Sequence, residues 1–215
     1  MNTSGRGFSI IELVIAVAIM GVLLSLALPS FSAYLRNVKL RSAAESFLTG
    51  VQLARSEAVR MNTSVEFLLT AADPVAANVA TAAAAATGVN WMVRTADLAT
   101  FIDGKFGIEG SGRASAAALT IKINDTTPPA DTDPDPPPAI RVSSIVFDGL
   151  GRSSLAAPAV FKFNDLTAGR CITDPGPPAG TVRCLRVVVS VGGQTRLCEP
   201  AISAAATAAG DSRGC

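Results

Sequence analysis

Residues 7–28 read GFSIIELVIAVAIMGVLLSLAL, and this stretch decides how the chain begins its fold. From residue 8 onward, only Ser9, Glu12, Gly21 and Ser25 interrupt a continuous apolar run. At about 1.5 Å of rise per residue, a helix over this run is roughly 30 Å long, the thickness of the hydrocarbon core of a bilayer. The run therefore predicts a transmembrane helix over 8–29, preceded by a short polar leader at 1–7.

A cleaved secretory signal peptide is the alternative interpretation of this N-terminus. The apolar region of such a peptide is about 7 to 15 residues long and ends at a cleavage site of small residues. Here the apolar run is longer, carries Glu12 near its start and continues after Pro29 into a second helical pattern. These features favour the membrane helix.

The pattern after Pro29 predicts an amphipathic helix over 30–62. Apolar residues recur every three or four positions, which places them on one face of a helix. Proline removes one helical hydrogen bond and crowds the preceding turn, so we expect a bend or local melting at 26–30. Asn62 is the predicted stop. The apolar positions are Phe31, Leu35, Val38, Leu40, Ala44, Phe47, Val51, Ala54 and Ala58.

Glu12 needs an explanation, because a carboxylate inside a membrane segment costs about 2.5 to 3.5 kcal/mol without a partner. No basic side chain occurs at the same depth. Cleavage between Gly7 and Phe8 would create an α-amine, whose ordinary pKa of about 7.7 to 8.0 keeps it mostly protonated at neutral pH. Glu12 can pair with that amine in its own chain or in a neighbour. The alternative is a Glu12 that is protonated or reaches the membrane surface.

The composition argues against an enzyme. The chain carries 18 basic and 17 acidic residues, so its overall charge points neither to nucleic acid nor to a strongly charged partner. It contains no histidine, which excludes Ser-His-Asp and Cys-His catalysis and the commonest zinc sites. We therefore expect no catalytic residue, no metal and no cofactor.

The four cysteines indicate an oxidising compartment. They all lie in the last quarter of the chain, among proline and glycine, and no two have the C-x-x-C spacing. Two disulfides, and hence a head outside the cytoplasm, are the expected result. Short loops favour the pairs Cys171 with Cys184 and Cys198 with Cys215, although all three pairings of the four remain open.

Apolar runs bounded by turn residues predict a β-rich head over 63–215. The fold class is therefore α+β, with an antiparallel sheet packed against the amphipathic half of the helix. Gly192 and Gly193 predict a tight hairpin between the last two strands. The predicted strands are 64–70, 89–95, 117–123, 140–147, 159–163, 185–191 and 194–198.

Two stretches of the head are expected to be surface insertions rather than core, the alanine-rich 71–88 and the proline-rich 124–139. Asp131, Asp133 and Asp135 resemble the opening of a calcium-binding EF-hand loop. Pro136 stands where that loop needs glycine, and Val142 stands where it needs glutamate. The segment is therefore interpreted as a solvated loop and not as a metal site.

The string Gly7-Phe8-Ser9-Ile10-Ile11-Glu12-Leu13 resembles the class III signal sequence of type IV pilins and type II secretion pseudopilins. The resemblance implies cleavage after Gly7 by the prepilin peptidase, N-methylation of Phe8, and docking of Glu12 against the terminal amine of an adjacent subunit. It also implies a helix kink at Pro29.

The head carries a second resemblance, in 146–152 (VFDGLGR) and in 185–193 (LRVVVSVGG), together with 53–58 (LARSEA) and the strand 65–69. These segments are similar to the GspH/FimT family, and most similar to its FimU-type minor pilins. The resemblance implies a type IV pilin fold. It also implies a structural adaptor that primes pilus assembly and joins other minor pilins to the major pilin. A minor pseudopilin of type II secretion is the alternative.

A third function, DNA binding for natural transformation, follows from FimT-type relatives, which bind DNA through a basic stretch near the C-terminus. The matching stretch here is 193–196, where Gln194 replaces the first basic residue. From residue 63 onward 12 basic residues face 14 acidic ones, so nucleic acid is a less favoured partner. Arg186 and Arg196 are the candidate contacts.

Arg36, Lys39 and Arg41 follow the apolar run closely, and by charge counting they argue against a cytoplasmic N-terminus. The family resemblance implies the opposite orientation, with a cytoplasmic leader and the head in the periplasm. We therefore expect a single-pass inner-membrane precursor that later enters the pilus at the cell surface. The three basic residues are interpreted as a solvated helix face.

Overall fold

The computed structural model describes residues 9–85, 88, 90–107, 120–123, 142–164, 171–172, 182–202, 210 and 213–214. The chain divides into two compact units, Met1–Leu35 and Arg36–Cys215. A long helix begins in the first unit and ends in the second, and two antiparallel sheets complete the second unit. The predicted α+β class is confirmed.

Helix α1 covers Ile10–Met61, 52 residues without a break. Local melting at 26–30 is not observed, because the helix continues through Pro29; the predicted bend stays a prediction. The helix ends at the predicted stop, where Asn62 adopts a left-handed φ of 48°. The Asn62 N–H donates to the Val59 carbonyl at 3.3 Å and the Thr63 N–H to the Ala58 carbonyl at 3.2 Å, which is the Schellman pattern of helix termination.

The buried face of α1 confirms the predicted stripe from Leu40 onward. Six of its residues have no exposed surface, at alternating spacings of four and three: Leu40, Ala44, Phe47, Val51, Ala54 and Ala58. This spacing keeps them on one side of the helix. Phe31, Leu35 and Val38 were predicted to continue the stripe, and they are 58%, 42% and 46% exposed. No helix in the described part of the chain combines the length and the apolarity needed to cross a membrane.

The first sheet contains β1 (Val65–Thr70), β2 (Asn90–Thr95), β3 (Phe101–Lys105) and β5 (Ser144–Phe147), in the order β3-β2-β1-β5. The second contains β4 (Thr120–Ile123), β6 (Ala159–Asn164), β7 (Leu185–Val189) and β8 (Thr195–Cys198), in the order β4-β6-β7-β8. All neighbouring strands are antiparallel. The sequence predicted one sheet, and the structure has two.

Strand β3 was not predicted. Its sequence, FIDGK, has no period-two alternation, and its residues are only partly buried because it lies at the edge of the first sheet. The connection from β2 to β3 is tight, since the Thr95 N–H donates to the Thr100 carbonyl at 3.0 Å. Within it Leu98 adopts a φ of 63°, a conformation that branched and bulky residues rarely take.

Phe47 holds the core together. Its ring centroid lies 4.8 Å from that of Phe67 in the first sheet. It lies 4.6 Å and 5.4 Å from those of Phe161 and Phe163 in the second sheet. Such tilted and edge-on pairs add to the burial of apolar area. One helical side chain therefore packs against both sheets, and a single core forms between the three layers.

The alanine-rich stretch 71–88 was predicted to lie outside the core, and this is wrong for Ala82. It is 4% exposed and forms a second small core with Leu68 and Met92 on the other face of the first sheet. Hydrogen bonds from Arg94 hold the alanine-rich stretch against this face of the sheet. Its Nη1 donates to the carbonyls of Val79 and Ala82 at 2.6 and 3.0 Å.

Candidate functional site

The predicted assembly residues lie at the start of α1. Glu12 is in its first turn with an exposed side chain, whereas Gly7 and Phe8 lie outside the described residues. Ser9 caps the helix, since its hydroxyl oxygen accepts a hydrogen bond from the Ile11 N–H at 3.3 Å. The helix dipole favours a carboxylate in this turn. Within the described residues Glu12 forms no ion pair, so any counter-charge has to come from elsewhere.

The side chains around and after Glu12 form a long apolar surface, which we call the apolar segment (10–28). Those of its large apolar side chains that the structure describes are between 52% and 86% exposed. They lie on all sides of the helix and are Ile10, Ile11, Leu13, Val14, Ile15, Val17, Ile19, Met20, Val22, Leu23, Leu24 and Leu28. Contiguous apolar surface of this extent marks a site of association with protein or lipid.

A second candidate site, which we call the junction, forms where α1 meets both sheets. It consists of Arg55, the loop 148–153 after β5, and the turn 190–194 between β7 and β8. Arg55 Nε donates to the Gly151 carbonyl oxygen at 2.9 Å. Gly151 and Gly193 have φ values of 74° and 77°, which favour glycine. A Cβ at Gly193 would collide with the Gly151 carbonyl oxygen, so the close approach of loop and turn requires glycine there.

Asp148 organises the loop of the junction. Its carboxylate accepts hydrogen bonds from the backbone N–H groups of Leu150 and Arg152, at 3.0 and 2.9 Å. It also accepts one from the Arg152 Nε at 3.0 Å. The backbone N–H of Arg152 is the largest cause that lowers the pKa of Asp148 below its ordinary value. The ionised carboxylate therefore fixes the loop that carries Gly151.

Ser153 connects the two sheets. It forms a β-bridge with Phe147 at the end of the first sheet. Its N–H donates to the Val191 carbonyl at 3.2 Å, and its hydroxyl donates to the same carbonyl at 2.8 Å. The loop thus links the edge of the first sheet to the β7–β8 turn of the second.

A groove of about 580 Å³ lies beside the junction. Across it, Gln52 Nε2 donates to the Thr195 hydroxyl oxygen at 3.3 Å. The lining residues are Gln52, Arg55, Ser56, Val59, Gln194 and Thr195. Five of the six side chains that line the groove are polar, and the sixth, Val59, is 51% exposed. Its surface suits contact with another protein better than it suits enclosure of a small molecule.

Sequence reasoning assigned Gly192 and Gly193 to a tight turn, and it missed that Arg55 joins the neighbouring Gly151 to the helix. One signal was present. Arg55 directly follows the buried Ala54 in the helical stripe, so its polar head is partly covered and needs a hydrogen-bond acceptor. Ser153 gave no comparable signal, because its partners lie 37 and 38 residues away in sequence.

The cysteines follow the preferred pairing where the structure describes them. Cys171 and Cys184 form a disulfide, with their Cα atoms 5.5 Å apart. Cys198 is also disulfide-bonded, and its expected partner, Cys215, lies outside the described residues. Arg183, the residue before Cys184, connects this disulfide to the helix, because its backbone N–H donates to Asn37 Oδ1 at 2.9 Å.

The two candidate DNA contacts differ in exposure. Arg186 is 4% exposed in the middle of the second sheet, whereas Arg196 is exposed. A phosphate cannot reach Arg186 in this conformation, so the structure offers DNA only one of the two side chains. DNA binding through the pair stays a prediction.

In the described residues no three His, Cys, Asp or Glu side chains come together as a metal site. The EF-hand-like aspartates at 131–135 lie outside those residues.

Two family models match this chain, one over its N-terminal residues and one over most of the remainder. The model of the prokaryotic N-terminal methylation motif matches residues 3–28. The model of the type II transport protein GspH matches residues 43–193, from the buried stripe of α1 to the last glycine of the junction. No curated protein matches the chain.

Two solved structures are similar, both of the type IV minor pilin FimU from Pseudomonas aeruginosa strain PAO1. In space group P21 the identity is 17%, the TM-score is 0.45, and the match covers 74% of this chain and 87% of that one. In space group P65 the values are 16%, 0.44, 73% and 90%. The assignment of the chain to a family rests on the family models and not on these two structures. The GspH model spans more than half of the chain. The chain therefore belongs to the GspH family of type II transport proteins and carries the prokaryotic N-terminal methylation motif.

Proposed function

We propose that this protein is the precursor of a minor type IV pilin, a structural adaptor without enzymatic activity. It primes pilus assembly and joins other minor pilins to the major pilin. The observation that carries the proposal is the apolar segment 10–28, exposed on all sides of α1 and lying within the methylation motif 3–28. Such a helix is stable only where lipid or other apolar helices cover it.

Two environments cover the apolar segment in turn. Before assembly, lipid surrounds it, and the precursor is held in the inner membrane with its head in the periplasm. In the filament, which extends to the cell surface, the corresponding helices of neighbouring subunits replace the lipid. Small residues such as Gly21, whose Cα has open space around it, allow close approach of such helices.

Glu12 selects the position of each subunit. The prepilin peptidase cuts between Gly7 and Phe8, and N-methylation of Phe8 leaves its amine basic. That amine is mostly protonated at neutral pH. A carboxylate in an apolar environment is stabilised only by a close positive partner, so the Glu12 of one subunit aligns with the terminal amine of the next.

The N-terminus and the incorporation of variants test this proposal together. Mass spectrometry of the mature protein should find methylated Phe8 as its first residue. Glu12→Ala should remain in the membrane fraction and be absent from sheared filaments, and Glu12→Gln should share the defect because it too lacks the charge. Glu45→Ala, the same change at an exposed site in the second half of α1, is the matched control and should assemble. A mature chain that begins elsewhere, or filaments that contain Glu12→Ala at the parental level, would refute the proposal.

A second function, minor pseudopilin of a type II secretion system, is favoured by one observation: the matching family model describes a type II transport protein. The physical requirements on the helix and head are the same, and the partners differ. Deletion of the gene separates the two functions. Loss of surface pili with normal protein secretion supports the pilus, and the reverse result supports the secretion system.

A further inference from the structure

The turn between β7 and β8 fixes which backbone groups of β8 face its neighbour. The Ser190 N–H donates to the Gln194 carbonyl at 2.8 Å, and the Gly193 N–H donates to the Ser190 carbonyl at 2.9 Å. Together with the φ of 77° at Gly193, these bonds form a three-residue loop that ends in a glycine bulge. Ser190 and Gln194 are therefore the first hydrogen-bonded pair of the hairpin.

Strand β8 is the last strand of the second sheet, so only β7 lies beside it as a strand. In an antiparallel ladder, pairs that exchange hydrogen bonds alternate with pairs that do not. Counted from the first pair along the register, Thr195 and Leu197 fall in pairs that do not. Their N–H and C=O groups point away from β7, and within the described part of the chain these groups have no hydrogen-bond partner.

The same edge of β8 already accepts a short piece of the chain itself. The Glu199 N–H, two residues after Leu197, donates to the Arg213 carbonyl at 2.7 Å. Glu199 also forms a parallel β-bridge with Gly214. Among the residues that the structure describes, this pairing does not continue to Leu197 or Thr195. The edge is thus suited to the addition of a strand, and two of its positions are open.

The groove of about 580 Å³ beside the junction lies next to the open end of this edge, because Thr195 belongs to both. Arg55 is the charged residue of its lining, which contains no acidic side chain. The Arg55 Nε donates to the Gly151 carbonyl, and in the described residues the guanidinium has no other hydrogen bond and no ion pair. Its remaining N–H donors suit a carboxylate, which a guanidinium binds through two parallel hydrogen bonds.

We propose that the edge of β8 and this groove bind an extended segment of a neighbouring subunit, which adds to the second sheet as a strand and places an acidic side chain against Arg55. In such complexes main-chain hydrogen bonds provide affinity and side-chain contacts provide specificity. A second copy that paired through its own β8 would not supply the acid, because that strand reads TRLC. The inference deepens the proposed function and rests on it for the source of the segment.

A synthetic peptide tests the strand chemistry without any filament. The probe is a fluorescent peptide of about seven alternating threonine and valine residues with glutamate at the centre, and anisotropy measures its binding to the full chain in mild detergent. We expect the same peptide with a central lysine to bind at least about tenfold more weakly, because it meets Arg55 with a like charge. Equal binding of the two peptides, or binding of neither, overturns the proposal.

Methylation of the peptide backbone distinguishes an added strand from a loosely held chain. Only every second N–H of a strand points to its neighbour. Two peptides carry N-methyl groups at alternate nitrogens, one in each phase. One phase should weaken binding at least about tenfold and the other should leave it within about twofold. Equal effects of the two phases overturn strand addition.

Three variants locate the site. Thr195→Pro removes an N–H that β7 does not use, so the hairpin should fold, as circular dichroism checks, and binding should fall at least about tenfold. Arg55→Gln should abolish the preference for glutamate over lysine. The matched control is Arg60→Gln, the same change at an exposed position of α1 outside the groove, and it should keep the preference. Loss of the preference in Arg60→Gln, or its retention in Arg55→Gln, contradicts the assignment to Arg55.

A photo-crosslinking residue in place of Gln194 identifies the occupant in sheared filaments. The crosslinked peptide should be an acidic segment of another subunit. A crosslink to the chain's own C-terminal residues would show that they fill the edge, and it would overturn the proposal. These outcomes are separate from the start of the mature chain at Phe8 and from the Glu12 variants, so either proposal can fail while the other stands.

Discussion

Replacement of Phe47 by alanine is the most direct test of how the head is built. The ring has no exposed surface, and it contacts aromatic rings on both sheets at centroid distances of 4.6 to 5.4 Å. Large-to-small changes of this kind cost about 3 to 5 kcal/mol, and more where the surroundings cannot collapse into the cavity. Here the lining belongs to two hydrogen-bonded sheets, so we expect about 4 kcal/mol, a large part of the stability of an ordinary domain.

Urea denaturation of the full chain in mild detergent measures this cost. Trp91, the only tryptophan, is 3% exposed in the first sheet and packs against Phe67, so its fluorescence reports the unfolding of that sheet. Circular dichroism reports both sheets and the helix. The control is Phe31→Ala, the same substitution at a position of α1 that is 58% exposed, and it should change the free energy of unfolding by less than about 0.5 kcal/mol.

Two results would refute the reasoning. A loss of less than about 1 kcal/mol in Phe47→Ala would mean that the helix is not a structural part of the core. Separate transitions by fluorescence and circular dichroism in the parent protein would mean that the two sheets unfold independently. We expect the two transitions to coincide.

Three further predictions concern the loops. Gly193→Ala should lower the free energy of unfolding by at least about 1 kcal/mol, because φ is positive and the Cβ meets the Gly151 carbonyl. Gly192→Ala, whose Cβ has only an ordinary neighbour, should have a much smaller effect in the same urea titration. Leu98→Gly should raise the thermal midpoint, since glycine adopts a φ of 63° without the cost of about 1 kcal/mol that a side chain brings. Folding lowers the pKa of the Asp148 carboxyl. The ionised carboxylate therefore stabilises the folded protein fully at pH values above the pKa that this group has in the unfolded chain. That stabilisation is lost as the pH falls through the pKa that it has in the folded protein. Asp148→Asn should therefore flatten the decline in stability measured below about pH 4, and an unchanged decline would contradict this.

Much of the helix could be predicted from sequence, because helical periodicity is a local signal. The stripe from Leu40 to Ala58 and the stop at Asn62 were both correct. The error at Phe31, Leu35 and Val38 has a physical cause. The step from Val38 to Leu40 is only two residues, which is 200° around the helix at 100° per residue. The three residues therefore lie on the side of α1 opposite the buried stripe.

The division into two sheets and the junction could not be predicted in this way. Strand pairing depends on contacts between residues far apart in sequence, such as Val65 with Phe147 in the first sheet and Ser153 with Val191 in the junction. The burial of Ala82 depends on Arg94, whose hydrogen bonds to backbone carbonyls leave no pattern in the amino-acid letters. Glycine positions could be located as turns, but which chain segments approach them is a property of the folded head.

The way α1 is packed determines how the head responds to mechanical force. A pull along the axis of α1 loads the six buried residues from Leu40 to Ala58 in shear, all at once, and those residues belong to the core that both sheets share. Bonds stressed in parallel must rupture together, whereas bonds stressed in series open one at a time at lower tension. The chain can therefore carry tension along α1 while the two sheets keep their arrangement.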